Sequence, residues 1–241
     1  MWVLIMKKNI CIFTSLIIII ACIVLVPLNI YRMNFASVIS SNTTDDAPII
    51  IVDAGHGGED GGTVAHDNTL EKDLNLDIAL KLQQILKLYG FNVIMTRTED
   101  IMTCDDNLKT QRAKKVSDIR NRFKIIEKYP NATFVSIHQN YFSDNTQHGV
   151  QVFYSANNDK SHILADSIQK SFINTIQTYN KRLTKKSGTN IFLLYHSTIP
   201  SVLVECGFLS NENDLNNLKN NEYRTKTALL IADGIINYFK E

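Results

Sequence analysis

Past its first 32 residues this 241-residue chain has little cysteine, and it has no surplus of either charge. Of four cysteines, Cys11 and Cys22 fall in an apolar N-terminal stretch, leaving Cys104 and Cys206. Two thiols so far apart in sequence make no disulfide framework, and both are expected free. Lysine and arginine number 25 against 24 acids, for a formal charge of +1. Without Lys7, Lys8 and Arg32 the balance goes from +1 to −2. Nothing in that balance points to nucleic acid, whose phosphates demand a basic surface. No internal repeat or low-complexity tract follows the N-terminal segment.

Charge is absent altogether from Asn9 to Tyr31, and no acid occurs in residues 1–32. About 20 apolar residues suffice to cross a bilayer core as a helix. Lys7 and Lys8 before the run, with Arg32 alone closely after it, set a cytoplasmic N-terminus and an exported remainder. A cleaved signal peptide has the same charged start and apolar centre, but this run is longer than the usual signal core and no clean small-x-small site follows. Residues 1–32 are thus expected to be a membrane anchor or signal segment, residues 33–48 a polar linker, and residues 49–241 the folded domain. Ile19-Ile20-Ala21-Cys22 faintly resembles a lipid-attachment box, yet the apolar run continues beyond Cys22.

The domain is organised around IIIVDAGHGGEDGG, residues 49–62, in which an apolar strand runs into a glycine-rich loop around His56. A dinucleotide fingerprint would need glycine where Asp60 stands, and no Gly-Lys-Ser/Thr ending is present. Thr69 to Tyr89 has apolar residues at helical spacing, with Thr69 as candidate cap, Gly90 as its end and Glu71 in the first turn. An acid there ordinarily serves the helix dipole. Phe91–Thr96 reads as a strand and Asp105–Tyr129 as a helix whose lysines and arginines form a solvated face. Thr133–Ile137 is a buried strand ending at His138. Gly149–Tyr154 reads as a strand, Ser161–Thr178 as a helix and Asn190–Tyr195 as a strand. Ser201–Val204 is a short apolar run ending at Glu205, and two helices follow Asn211. Alternating strands and helices give an α/β class.

Three apolar strands therefore end near an ionisable side chain: His56, His138 and Glu205. In an open α/β sheet the carboxyl ends of parallel strands share the edge where ligands bind, and Glu71 joins them if its helix starts there. Two imidazoles and a carboxylate suit a catalytic zinc with an open position, and a further acid can move the proton. Singly, each residue has a plainer reading: His138 as a packed side chain, Cys206 as a filler thiol. His66, His148, His162 and His196 lie in polar or turn contexts and default to surface or structural roles.

DAGHGGEDGG with His56, the LEKDLN helix start with Glu71, SIHQN with His138 and VLVECGFLSN with Glu205 together resemble the zinc-dependent N-acetylmuramoyl-L-alanine amidases of bacterial cell walls. The similarity spans about residues 49–240. It implies one domain with a mixed, mostly six-stranded sheet covered by helices, with Zn²⁺ on His56, Glu71 and His138 and Glu205 as catalytic acid/base. It also implies that Arg97 and Asn140 orient ligands or substrate. The substrate would be peptidoglycan, cut between muramic acid and L-alanine. Residues 101–122, the QHGVQVFYS block and the short chain with its N-terminal membrane segment resemble the sporulation-specific members acting on spore cortex. Those strip stem peptides before muramic-δ-lactam forms, which places such a protein between the spore membranes. No long insertion offers a self-blocking helix, which leaves control to an accessory or activating protein or to substrate access. A catalytically silent wall-binding protein and a zinc peptidase are the alternatives on the same fold.

Overall fold

The computed structural model describes residues 47–240, so the expected anchor and most of the linker lie outside the described residues. Among the described residues no helix is long and apolar enough to cross a membrane. Six strands form one sheet: β1 (Ile49–Ala54), β2 (Asn92–Met95), β3 (Thr133–Asn140), β4 (Gln151–Tyr154), β5 (Lys185–Lys186) and β6 (Ser201–Phe208). Six helices accompany them: α1 (Glu71–Leu88), α2 (Gln111–Lys128), α3 (Lys160–Ile173), α4 (Phe192–His196), α5 (Glu212–Lys219) and α6 (Asn221–Tyr238). The sheet order is β2-β1-β3-β6-β4-β5. β2, β1, β3 and β6 run parallel, while β4 pairs antiparallel with β6 and parallel with β5. The sheet is thus mixed and six-stranded within an α/β domain.

Strand alternation divides the core between the two sheet faces. Val135, Ile137, Val202 and Val204 point to a large cluster with Leu74, Ile78 and Leu82 of α1, Leu164 and Ile168 of α3, and Ile231 and Ile235 of α6. Phe134 and Leu203 point the other way, to a smaller cluster with Ile126 of α2 and Leu193 and Leu194 of α4. The first face is closed along its length, and the second is covered only in part. Ser136, His138 and Glu205 follow the parity of Phe134 and Leu203, so they lie on this second face, where His138 and Glu205 are register partners.

Four local expectations are corrected. Asn190–Tyr195 is not a strand: Phe192–His196 is a five-residue helix that lays Leu193 and Leu194 into the smaller cluster. The Asp105–Tyr129 helix begins only at Gln111, capped by Thr110 Oγ1, which accepts from the Ala113 N–H at 3.2 Å. Its charges are not all solvated, because Asp118 and Arg122 are buried. Thr69 does not cap α1, since the N-cap is Leu70 without a side-chain hydrogen bond. Gly90 does follow the helix end, at φ 85°.

Candidate metal centre

His56, Glu71 and His138 are delivered near the ends of elements, whereas Glu205 is not at the strand end expected of it: β6 continues past it to Phe208. β1 runs out at Ala54 and the chain turns through His56, itself at φ 61°, a left-handed conformation that a non-glycine residue adopts only at a cost. Glu71 is the first residue of α1, and His138 lies in the last turn of the pleat of β3. The structure brings His56, Glu71 and His138 together: one donor atom from each lies within 4.8 Å of the other two. His56 Nε2 is 3.4 Å from Glu71 Oε2, and His138 Nδ1 is 3.0 Å from Glu71 Oε1.

Glycines make that approach possible. A Cβ on Gly55 would stand 2.3 Å from the His138 ring, and one on Gly62, at φ 67°, would stand 2.7 Å from both Glu71 Oε2 and the His56 ring. The glycine-rich loop therefore serves close packing of the three side chains.

The surroundings fix each group. Asp60 Oδ2 lies 2.9 Å from His56 Nδ1, which leaves Nε2 directed at Glu71. Glu71 Oε2 accepts from the Thr63 N–H at 2.8 Å, and Oε1 accepts from the Gln139 N–H at 3.1 Å. Asn75 donates to the Gly55 carbonyl at 3.1 Å. Burial opposes protonation of His56, but Asp60 and Glu71 outweigh it and raise the imidazole to about 9. Burial likewise works against ionised Glu71, yet the two imidazoles hold its carboxyl well below the usual range. A cluster that concentrates acid around two ring nitrogens is suited to hold positive charge. This donor set fits a divalent ion of borderline softness, with Asp60 in the carboxylate-to-imidazole position that orients metal-bound histidines.

Glu205 stands beside this cluster in a different state. Its residue is partly accessible, but Oε2 is sealed from solvent and has no hydrogen-bond partner among the described residues. Burial pushes its pKa up to about 7, with the nearby Glu71 charge adding to the rise and the histidines opposing it. Neighbouring Cys206 is fully buried, and burial drives its thiol far above the ordinary value, so it is packing rather than nucleophile.

The amidase description covers this same stretch: the family of N-acetylmuramoyl-L-alanine amidases matches residues 50–237. The chain belongs to that family. The germination-specific N-acetylmuramoyl-L-alanine amidase of Bacillus subtilis (strain 168) is 34% identical over 193 residues, 80% of each chain. Among solved structures, the CwlD amidase from Clostridioides difficile, in complex with the GerS lipoprotein, is 40% identical with a TM-score of 0.77, covering 80% of this chain and 98% of that one. The catalytic domain of CwlV, an amidase from Bacillus (Paenibacillus) polymyxa var. colistinus, is 30% identical with a TM-score of 0.67 over 80% and 98% of the two chains.

The two residues expected to orient ligands or substrate make these contacts. Arg97 is buried and grips backbone: Nε donates to the Ala54 carbonyl at 2.9 Å, and Nη2 donates to those of Gly55 and Lys72 at 3.0 and 2.9 Å. It braces the loop that carries His56. Asn140 ends β3, where its side chain accepts from the Tyr141 N–H at 2.8 Å. Sequence reasoning missed Arg122 and Asp60. Arg122 Nη1 reaches Asp53 Oδ1 at 2.7 Å and the Ala54 carbonyl at 2.6 Å, and Nη2 donates to the His56 carbonyl at 2.6 Å. The available signal was the i,i+4 pairing of Asp118 with Arg122, closed at 2.9 Å, beside the apolar stripe of α2.

Proposed function

We propose that this amidase hydrolyses, with zinc, the amide between the lactyl group of N-acetylmuramic acid and the L-alanine of peptidoglycan stem peptides in spore cortex, as a step towards muramic-δ-lactam. The observation that carries the reading is the convergence of His56, Glu71 and His138 within 4.8 Å beside the unpartnered Glu205. His56 Nε2, a Glu71 carboxylate oxygen and His138 Nδ1 would hold the ion. Bound there, zinc would supply Lewis-acid polarisation of the scissile carbonyl and lower the pKa of water.

Glu205 would take a proton from the attacking water and hand it to the nitrogen of the departing L-alanine. A carboxyl pushed up to about 7 exchanges protons readily near neutral pH, which suits both halves of that task. Asp60 would keep His56 in the tautomer with its lone pair on Nε2, and Asn75 and the Gln139 N–H would hold Glu71 and the loop in place. In this reading residues 49–241 are the catalytic domain, residues 1–32 an anchor or export signal and residues 33–48 a linker, so the domain works outside the cytoplasmic membrane. The spore assignment draws on the likeness to the germination-specific relative. The GerS lipoprotein in the relative's complex favours an accessory protein for this chain too.

Replacing Glu205 by Ala tests the core of the reading. Zinc content should stay at one ion per chain, measured by atomic absorption, while release of L-alanine amino groups from peptidoglycan disappears. Undiminished cleavage by metal-depleted protein sinks it, and mass spectrometry of the fragments separates an amidase from a peptidase. Spores lacking the protein should contain cortex without muramic-δ-lactam.

A further inference from the structure

Beyond Glu205 the same sheet face continues onto β4 and β5 and opens into a hollow of about 170 Å³. Gln151, the register partner of Glu205, lines it together with Phe153, Asn140, Phe208, Arg182 and Lys185. Gln151 is only 2% exposed. Its Nε2 donates to the Leu183 carbonyl at 2.6 Å, which fixes the amide's orientation and leaves Oε1 buried with no partner among the described residues. A buried acceptor without a donor costs stability unless a ligand supplies one.

Arg182 is oriented but not neutralised. Its guanidinium lies 4.8 Å from the centroid of the Phe208 ring, with Nε donating to the His148 carbonyl at 3.1 Å and Nη2 to Gln147 Oε1 at 2.6 Å. Both acceptors are neutral. Asp214, the acid that senses Arg182, accepts from the backbone N–H groups of Gly149 and Phe208. Among the described residues no carboxylate forms an ion pair with Arg182 or Lys185. The hollow thus presents two free cations and one orphan acceptor.

We propose that Arg182, Lys185 and Gln151 form a subsite for the acidic residue that follows L-alanine in the stem peptide. Its carboxylate meets the two cations, and its backbone N–H donates to Gln151 Oε1. The distances suit this. β4 lies one strand spacing beyond β6 and β5 lies two, or about 5 and about 10 Å. An extended peptide advances about 3.5 Å per residue, so one whose scissile amide sits at Glu205 brings its second or third residue to the hollow. The subsite rests on the amidase reading of Glu205 and adds to it the side on which the peptide leaves.

The test compares N-acetylmuramoyl-L-alanyl-D-glutamate with the same compound carrying amidated carboxyls. Zinc-loaded wild type should favour the acid by about tenfold or more in kcat/KM, the worth of a charge-assisted hydrogen bond. In Lys185→Gln and in Arg182→Gln that ratio should fall, mostly through KM, and in the double variant it should approach one. Lys185 is exposed, so its replacement is compatible with folding. Cleavage without preference by wild type, or a preference that survives the double substitution, overturns the subsite alone. Failure of wild type to cleave either compound counts against the amidase reading instead. Calorimetry with free L-alanyl-D-glutamate then decides the subsite, since binding lost in Lys185→Gln supports it and unchanged binding overturns it.

Discussion

Asp53 closes the apolar run of β1, yet it is buried as deeply as Ile50 and Ile51 before it. Burial alone would raise its pKa, but the Arg122 guanidinium and the Ser136 and Thr96 hydroxyls outweigh burial and hold the carboxyl at about 2 against an ordinary 3.8. Ser136 Oγ donates at 2.5 Å and Thr96 Oγ1 at 2.7 Å. Because the folded pKa is the lower one, the stabilisation is complete above the unfolded value and disappears as pH falls through the folded one. Urea unfolding should therefore lose about 2 kcal/mol from this group between about pH 4 and about pH 2. Asp53→Asn should flatten that part of the pH profile, and an unchanged slope would show that the ion pair is not the cause. The same arginine holds the carbonyls of Ala54 and His56, so the pair also braces the loop that presents His56. His56, Glu71 and His138 were legible in the sequence because strand ends and a helix start place them, and Glu205 because an acid stands out in an apolar run, although β6 runs on to Phe208. Arg122 was not, since a charged residue among many on a helix looks solvated until a buried acid faces it.

Among the elements, helix α6 packs against α3 at a point where Gly234 leaves no room for a side chain. A Cβ there would meet Ile168 Cα at 2.4 Å, and Ser167 Oγ donates to the Gly234 carbonyl at 2.8 Å. Helix propensity argues for alanine by about 1 kcal/mol. Overpacking argues against it by about 1–3 kcal/mol, and because the opposing atom is backbone neither helix can yield cheaply. Gly234→Ala should thus destabilise the fold by about 1–2 kcal/mol in denaturant unfolding. A stabilised variant would mean the helices separate freely. Elements of this length were legible from apolar spacing. The short ones were not: NIFLLY is a run of six residues that period alone cannot assign, and it became a helix because two adjacent leucines both fit under β3 and β6. The two exposed lysines of β5 have no strand pattern at all, and only pairing with β4 defines them.

At the scale of the whole molecule, the three side chains proposed to hold the metal come from a loop after β1, the start of α1 and the end of β3, spread from residue 56 to residue 138. In the unfolded chain they share no site, so any ion they hold binds the native state alone and its binding energy adds to folding. At a zinc concentration 100 times Kd the gain is about 2.7 kcal/mol. For a domain of this size that corresponds to about 5–10 °C in Tm. Zinc should raise the melting temperature of chelator-treated protein by that amount, and the rise should vanish in His138→Ala while persisting in His66→Ala, whose ring is exposed and lies outside the cluster. Binding should also expel about one proton near neutral pH, because His56, raised to about 9, must become neutral to donate its lone pair. A zinc-induced shift of equal size in His138→Ala would place the ion elsewhere. The proton count, read by calorimetry in buffers of different ionisation enthalpy, then separates binding at His56 from binding at surface groups that are already neutral.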